Sequence, residues 1–128
     1  MSEELKPQNR QGTSLFPRYG EIWDMALDPA VGSEIKKTRP ALIVSNNINN
    51  EYAGTVTVLP VTSQPAAKVY DFEVGIQRGT AGLIADSRIK ADQIRTIDKR
   101  RLIKFRGILP GSLVPAIQRA LIIHLNMK

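Results

Sequence analysis

Residues 36 to 44 read Lys-Lys-Thr-Arg-Pro-Ala-Leu-Ile-Val, a basic turn that delivers an arginine into an unbroken apolar run. Pro40 fixes its own φ and holds Arg39 extended, so the guanidinium sits where loop becomes sheet. Ala41 to Val44 follow without a polar interruption, the pattern of a strand buried on both faces, because alternation is lost only when neither face meets water. Arg39 is therefore a candidate for a positioned charge at the rim of the core. A surface arginine that merely precedes a proline is the plainer alternative, and position alone does not separate the two.

Outward from this stretch, the chain reads as strands joined by turns. From Tyr19 to Leu27, Trp23, Met25 and Leu27 share one parity while Gly20 and Asp24 take the other, which predicts a first, half-buried strand. Asp28-Pro29 and Gly32-Ser33 break it, and a polar loop carrying Glu34, Lys36 and Lys37 runs to Thr38, placed to fold over a ligand beside Arg39 or to serve as an ordinary connection. Strand two is expected over 39–45, followed by a turn at the asparagines 46, 47, 49 and 50. The β-branched run from Thr55 to Val61 is a third strand, and Pro60 requires a sheet edge, a bulge or a strand end there. Thr62 and Ser63 then stand as two hydroxyls at a strand terminus.

Tyr70 to Ile76 alternates Tyr, Phe, Val and Ile against Asp, Glu and Gly, predicting a strand with one wet face. Farther on, Ile89 and Ala91 point one way and Arg88, Lys90 and Asp92 the other. The phase slips after Gln93, as a bulge or bend would produce. Lys104 to Leu109 is a short last strand. Gly111-Ser112 offers a helix cap, Pro115 suits a first turn, and Leu113, Ile117, Leu121 and Leu125 recur at helical spacing. Together these predict a mainly β fold, a small, strongly bent antiparallel sheet or partly open barrel closed by a C-terminal helix.

Composition sets the outer bounds. With 128 residues and 42% hydrophobic content the chain suits one domain over 18–128, preceded at 1–17 by a polar tail too poor in large apolar groups to order itself. Eighteen Lys and Arg against twelve Asp and Glu leave a net charge of +6, favouring a polyanionic partner. Cysteine is absent and His124 is the one histidine, which excludes thiolate or histidine metal clusters and suits a reducing cytoplasm. No signal peptide or membrane span is expected, and no Walker or dinucleotide loop occurs, which argues against ATP hydrolysis and hydride transfer. Arg88, Lys90, Arg95, Lys99, Arg100, Arg101, Lys104 and Arg106 face only Asp92 and Asp98, a run that is either a phosphate-binding surface or a solvated basic face. His124 reads as packed or partly exposed rather than catalytic, and Trp23 as a core or interface anchor.

Five blocks in register carry a family resemblance: Arg18-Tyr19-Gly20-Glu21-Ile22-Trp23; Leu27-Asp28-Pro29 with Gly32-Ser33-Glu34; Lys37 to Val44; Leu59-Pro60-Val61-Thr62-Ser63; and Asp92 to Asp98. Over roughly 18–125 the chain resembles the PemK/MazF toxins of bacterial toxin–antitoxin pairs. The resemblance implies an SH3-like barrel that forms a homodimer and needs no cofactor or metal. It implies a sequence-specific endoribonuclease acting on single-stranded RNA, inhibited by a cognate antitoxin protein and meeting DNA only through that antitoxin. It places the catalytic pair on Arg39 and Thr62, the substrate groove on Ser33, Glu34 and Lys37 of the first loop, and further contacts on Ser63, Lys90, Asp92 and Gln93. Ser33 stands where some members have histidine and Lys90 where some have arginine, so the cleaved sequence does not carry over. A non-catalytic toxin of the same fold that poisons a protein such as DNA gyrase, and a plain nucleic-acid-binding barrel, are the alternatives.

The chemistry is what RNA itself offers. The ribose 2′-hydroxyl attacks the adjacent phosphate, so the protein must accept a proton, steady the added negative charge and protonate the departing 5′-oxygen. A planar, permanently charged guanidinium suits the second task, and a threonine hydroxyl can donate to the same phosphate.

Overall fold

Ala41, Leu42 and Ile43 do lie in a strand covered on both sides, and the sheet is built around it. The computed structural model describes residues 15–65 and 68–128. The expected tail over 1–17 falls mostly outside these residues, and Pro17 within it is buried. Strands β1 (Glu21–Ala26), β2 (Thr38–Ile43), β3 (Thr55–Thr62), β4 (Glu73–Ile76), β5 (Ser87–Lys90), β6 (Arg95–Asp98) and β7 (Leu102–Ile108) pair antiparallel in the order β4-β5-β3-β2-β1-β7, with β6 also against β3. Helices α1 (Asn47–Tyr52) and α2 (Val114–His124) complete the mainly β architecture.

Strand alternation divides the apolar side chains between two cores. Trp23, Met25, Leu27, Ala41, Ile43, Val56, Val58 and Ile97 pack on one face. Ile22, Leu42, Leu59, Val61 and Ile89 pack on the other, where Ile117 and Ala120 of α2 close over them. β1 is thus covered on both sides at its start rather than half-buried throughout, since Ile22, of the opposite parity, is buried along with Trp23 and Met25 while Asp24 and Ala26 are partly covered. Trp23 is a core residue, meets Phe105 edge-on at 5.8 Å and donates its indole N–H to Glu21 Oε1 at 2.9 Å.

Pro60 sits inside β3, on neither an edge nor an end, paired with Ala41. The amide of Val44 donates to Thr57 O, so by two-residue alternation the main-chain polar atoms of Leu59 face β2 and the nitrogen of Pro60 faces the opposite flank. On that flank β6 pairs with β3 up to Val58, and β5 begins pairing at Val61. The proline occupies the gap between them, where no ladder bond is missed. A 3₁₀ turn at Ala91–Gln93 carries the chain from β5 to β6 and accounts for the phase slip. This exchange of partners along one strand bends the sheet.

Three other local expectations are corrected. The asparagine cluster forms α1 rather than a simple turn, because Asn46 caps it by accepting the Asn49 amide at 2.9 Å, and fully buried Asn50 donates to Ser45 O at 2.8 Å. Tyr70 to Phe72 form a turn with stacked rings 5.3 Å apart, so β4 starts only at Glu73, which is buried instead of wet. Ser112 lies in a 3₁₀ turn, Gly111–Leu113, and caps nothing. α2 begins from Leu113 with Pro115 in its first turn, and Leu125 at its end is 46% exposed.

β7 crosses the turn Thr80–Gly82 at backbone contact. A Cβ on Gly82, which also holds φ +77°, would lie 2.1 Å from Arg106 O, and one on Gly107 would lie 2.5 Å from the carbonyl carbon of Ala81. Only glycine admits that approach.

Candidate functional site

The pairing of Ala41 with Pro60, continued two residues outward, sets Arg39 opposite Thr62. Both line a cavity of about 300 Å³, together with Pro40, Ser63, Asp24 of β1 and Arg106 of β7. Arg39 is exposed, and its Nη1 donates to the neighbouring Thr38 O at 2.9 Å. Among the described residues no ion pair engages its guanidinium, so its charge faces the cavity unneutralised. Thr62 is largely enclosed but opens onto the same space. Its Oγ1 accepts the Gln64 amide at 3.1 Å, which leaves the hydroxyl proton available in another direction.

Thr62 is steadied from behind. Arg88 Nη2 donates to Gln64 O at 3.1 Å, and Arg88 Nη1 donates to Glu73 Oε1 at 3.1 Å. Lys90 Nζ reaches Glu73 Oε2 at 2.9 Å, and the Tyr70 amide reaches Oε1 at 3.2 Å. Burial alone would raise the Glu73 pKa, but these hydrogen bonds from Lys90, Tyr70 and Arg88 outweigh it and hold the carboxyl below its ordinary value. The path from Glu73 through Arg88 and Gln64 to Thr62 was not legible beforehand. Its one sequence signal was a glutamate in β4 at the parity opposite Val74 and Ile76.

Four of the remaining predicted residues, Ser33, Glu34, Asp92 and Gln93, line a second hollow of about 260 Å³ with Val31, Ile94 and Arg95. Gln93 clamps the first loop, its Oε1 accepting the Ile35 amide at 3.1 Å and its Nε2 donating to Ser33 O at 3.3 Å. Glu34 Oε1 accepts the Val31 amide. Lys37 is exposed in the left-handed region at φ 67° with its amide bound to Asp28 Oδ1 at 3.0 Å, outside either hollow. Lys90 is turned to Glu73 and lies 3.7 Å from Asp92 Oδ2. Asp92 lines this hollow and not the one holding Arg39 and Thr62. Ser63 is exposed and borders the first cavity.

The basic run over 88–106 does not form one phosphate-binding face. Arg88 and Lys90 serve Glu73, Arg95 donates to Leu27 O at 2.9 Å, Arg100 pairs with Asp98 at 3.0 Å, Arg101 donates to Ala26 O and Asp28 O, and Lys99 is buried. Arg88, Arg95, Lys99 and Arg101 tie main chain together, so the run is neither a single phosphate-binding surface nor a solvated basic face. His124 is exposed, its ring 6.0 Å from Phe72. Among the described residues no helix is long and apolar enough to cross a membrane.

A family model described as the PemK-like, MazF-like toxin of type II toxin–antitoxin systems matches residues 18–125. The chain is 43% identical over 115 residues to Endoribonuclease MazF9 of Mycobacterium tuberculosis, covering 86% of this chain and 97% of that protein. It is 35% identical over 113 residues to Endoribonuclease EndoA of Bacillus subtilis, covering 88% and 97%. Among solved structures it is similar to MazF of Deinococcus radiodurans, at 28% identity with a TM-score of 0.75 over 88% of this chain and 98% of that one. The MazE-MazF structure from the same organism matches at 26% identity and a TM-score of 0.69 over the same shares.

Proposed function

This chain belongs to the PemK-like, MazF-like toxins of type II toxin–antitoxin systems, and from that premise we propose that Arg39 and Thr62 cut single-stranded RNA in the cavity they share. The protein is an endoribonuclease, as its relatives are named. The observation that carries the residue assignment is that an uncompensated guanidinium and a hydroxyl with a free proton line one space at the ends of adjacent strands.

The ribose 2′-oxygen attacks the neighbouring phosphorus, the P–O5′ bond breaks, and a 2′,3′-cyclic phosphate and a 5′-hydroxyl result. Arg39 meets the non-bridging oxygens with its planar fork and offsets the charge that grows on them. Thr62 donates its O–H to the same group while its lone pair keeps the Gln64 amide. No metal is required. The second hollow receives flanking nucleotides, with Asp92, Glu34 and Ser33 as contacts and Gln93 holding the loop in place. Ser63, Lys37 and Lys90 stand around the path of the strand. The protein acts in the cytoplasm as a homodimer, is silenced by a cognate antitoxin protein, and meets DNA only through it. A gyrase-type poison or a plain binding barrel draws no support from relatives named endoribonucleases.

The test is incubation of labelled single-stranded RNA with the full chain in EDTA. Cleavage is expected, and Arg39→Ala or Thr62→Ala should lower the rate by about 100- to 1,000-fold with the fold intact. Intact RNA with the wild-type protein overturns the reading.

A further inference from the structure

The cavity of Arg39 and Thr62 has a wall that neither residue explains. Asp24 on β1 and Arg106 on β7 both line it, and Asp24 is the one carboxylate among its described lining residues. A negative charge facing a site for a polyanion is unfavourable unless it has its own partner there. Arg106 supplies one, but incompletely: Nη1 stands 3.6 Å from Asp24 Oδ2, an ion-pair distance beyond a hydrogen bond, and Nε is buried without a partner. The side chains keep 23% and 21% of their surfaces, respectively. The pair sets the Asp24 carboxylate and the Arg106 guanidinium side by side on the cavity wall without a hydrogen bond between them.

We infer that Asp24 and Arg106 read the base next to the scissile phosphate and select guanine. The inference rests on the cleavage site proposed above. Bases of single-stranded RNA expose their Watson–Crick edges, and proteins recognise them there by hydrogen bonds. Guanine presents two adjacent donors, N1–H and the N2 amino group, beside the acceptor O6. The two carboxylate oxygens of Asp24 match the donors, and a terminal guanidinium nitrogen of Arg106 matches O6. Adenine and cytosine each present a single donor group on that edge, and uracil a single N–H, so each leaves an Asp24 oxygen unmet. An acceptor that the bound base covers without supplying a donor is what makes such discrimination steep.

The probe is a fluorescent 2′-O-methyl oligouridine, which lacks the nucleophile, carrying one central guanine, adenine, cytosine or inosine. Anisotropy with the full-length protein should show the guanine strand bound roughly 5- to 150-fold more tightly than the adenine strand, the range of one good two-point base contact. Inosine, which keeps O6 and N1–H but lacks the amino group, should fall between. Asp24→Asn and Arg106→Gln should each compress the guanine preference to about 2-fold, with unchanged circular dichroism. Equal binding of all four strands by the wild type overturns the inference, as does a preference that survives Asp24→Asn. Uniform weakening for every base together with a lower unfolding midpoint also overturns it, because the pair is then only a strand tie. Sequencing the ends of cleaved unmodified RNA keeps the two readings apart. Selective guanine binding without any cleavage sinks the nuclease and leaves the base reader, and cleavage indifferent to guanine does the reverse.

Discussion

Replacing Glu73 with glutamine removes a charge that two cations share. The Glu73 side chain is 1% exposed, while Arg88 and Lys90 retain 16% and 18%. Deleting one partner of a buried ion pair costs about 3–5 kcal/mol because the other charge is left uncompensated. Here the cations keep a fringe of solvent that screens them, and glutamine still offers an oxygen to the Tyr70 amide. The expected loss is therefore about 2–3 kcal/mol. For a chain of this length that lowers the thermal midpoint by about 6–12 °C. The same substitution loosens Arg88 from Gln64, and with it the seat of Thr62. Turnover should fall by about 10- to 100-fold, the effect of a displacement near 1 Å, while KM stays close to that of the wild type. The pH dependence has a definite sign. The folded carboxyl ionises at a lower pH than the unfolded one, so its contribution is whole above about pH 4.3 and drains away as pH falls through the lowered value. The gap in stability between wild type and Glu73→Gln should be flat near neutrality and narrow on acidification. Circular-dichroism melts at several pH values, paired with steady-state cleavage, test this. A variant within about 0.5 kcal/mol of wild type at pH 7, with unchanged kcat, refutes the reasoning.

Gly82→Ala and Gly107→Ala should each destabilise by about 2 kcal/mol or more, read by denaturant titration, since the added Cβ meets backbone at 2.1 and 2.5 Å. A loss below half of that would mean the crossing of β7 over the 80–82 turn is slack. Gln93→Ala releases two hydrogen bonds to the first loop and should raise KM for RNA by about 5- to 10-fold at roughly constant kcat, from about 1 kcal/mol of lost loop order.

What the chain revealed in advance was whatever depends on near neighbours. Parity at Trp23, Met25 and Leu27, the apolar run from Ala41 and the slip after Gln93 each reflect the period of a strand and recur in the structure, although β2 ends at Ile43 and leaves Val44 and Ser45 outside it. Pro60 was misplaced because its tolerance depends on two other strands ending and beginning beside it, which no local pattern records. Glu73 looked wet for the same reason, since the cations that compensate it come from β5. The cations at 88–106 looked like one surface because adjacency in sequence stood in for adjacency in space. Arg39 stood out from its proline and Thr62 from its strand end. That they share a cavity follows from a register between strands, and Asp24 and Arg106 became visible only once that cavity had walls.

The two cores have a consequence for how such a protein can change over time. With β1, β2 and β3 packed by apolar groups above and below, polar side chains gather in the loops and along the cavity walls, so a substitution at 33 or 63 alters the rim and leaves the two cores untouched. On the proposed reading of these rims, preference for one RNA word over another drifts there step by step in descendants of this chain, each intermediate still folding, while the scaffold beneath stays nearly constant.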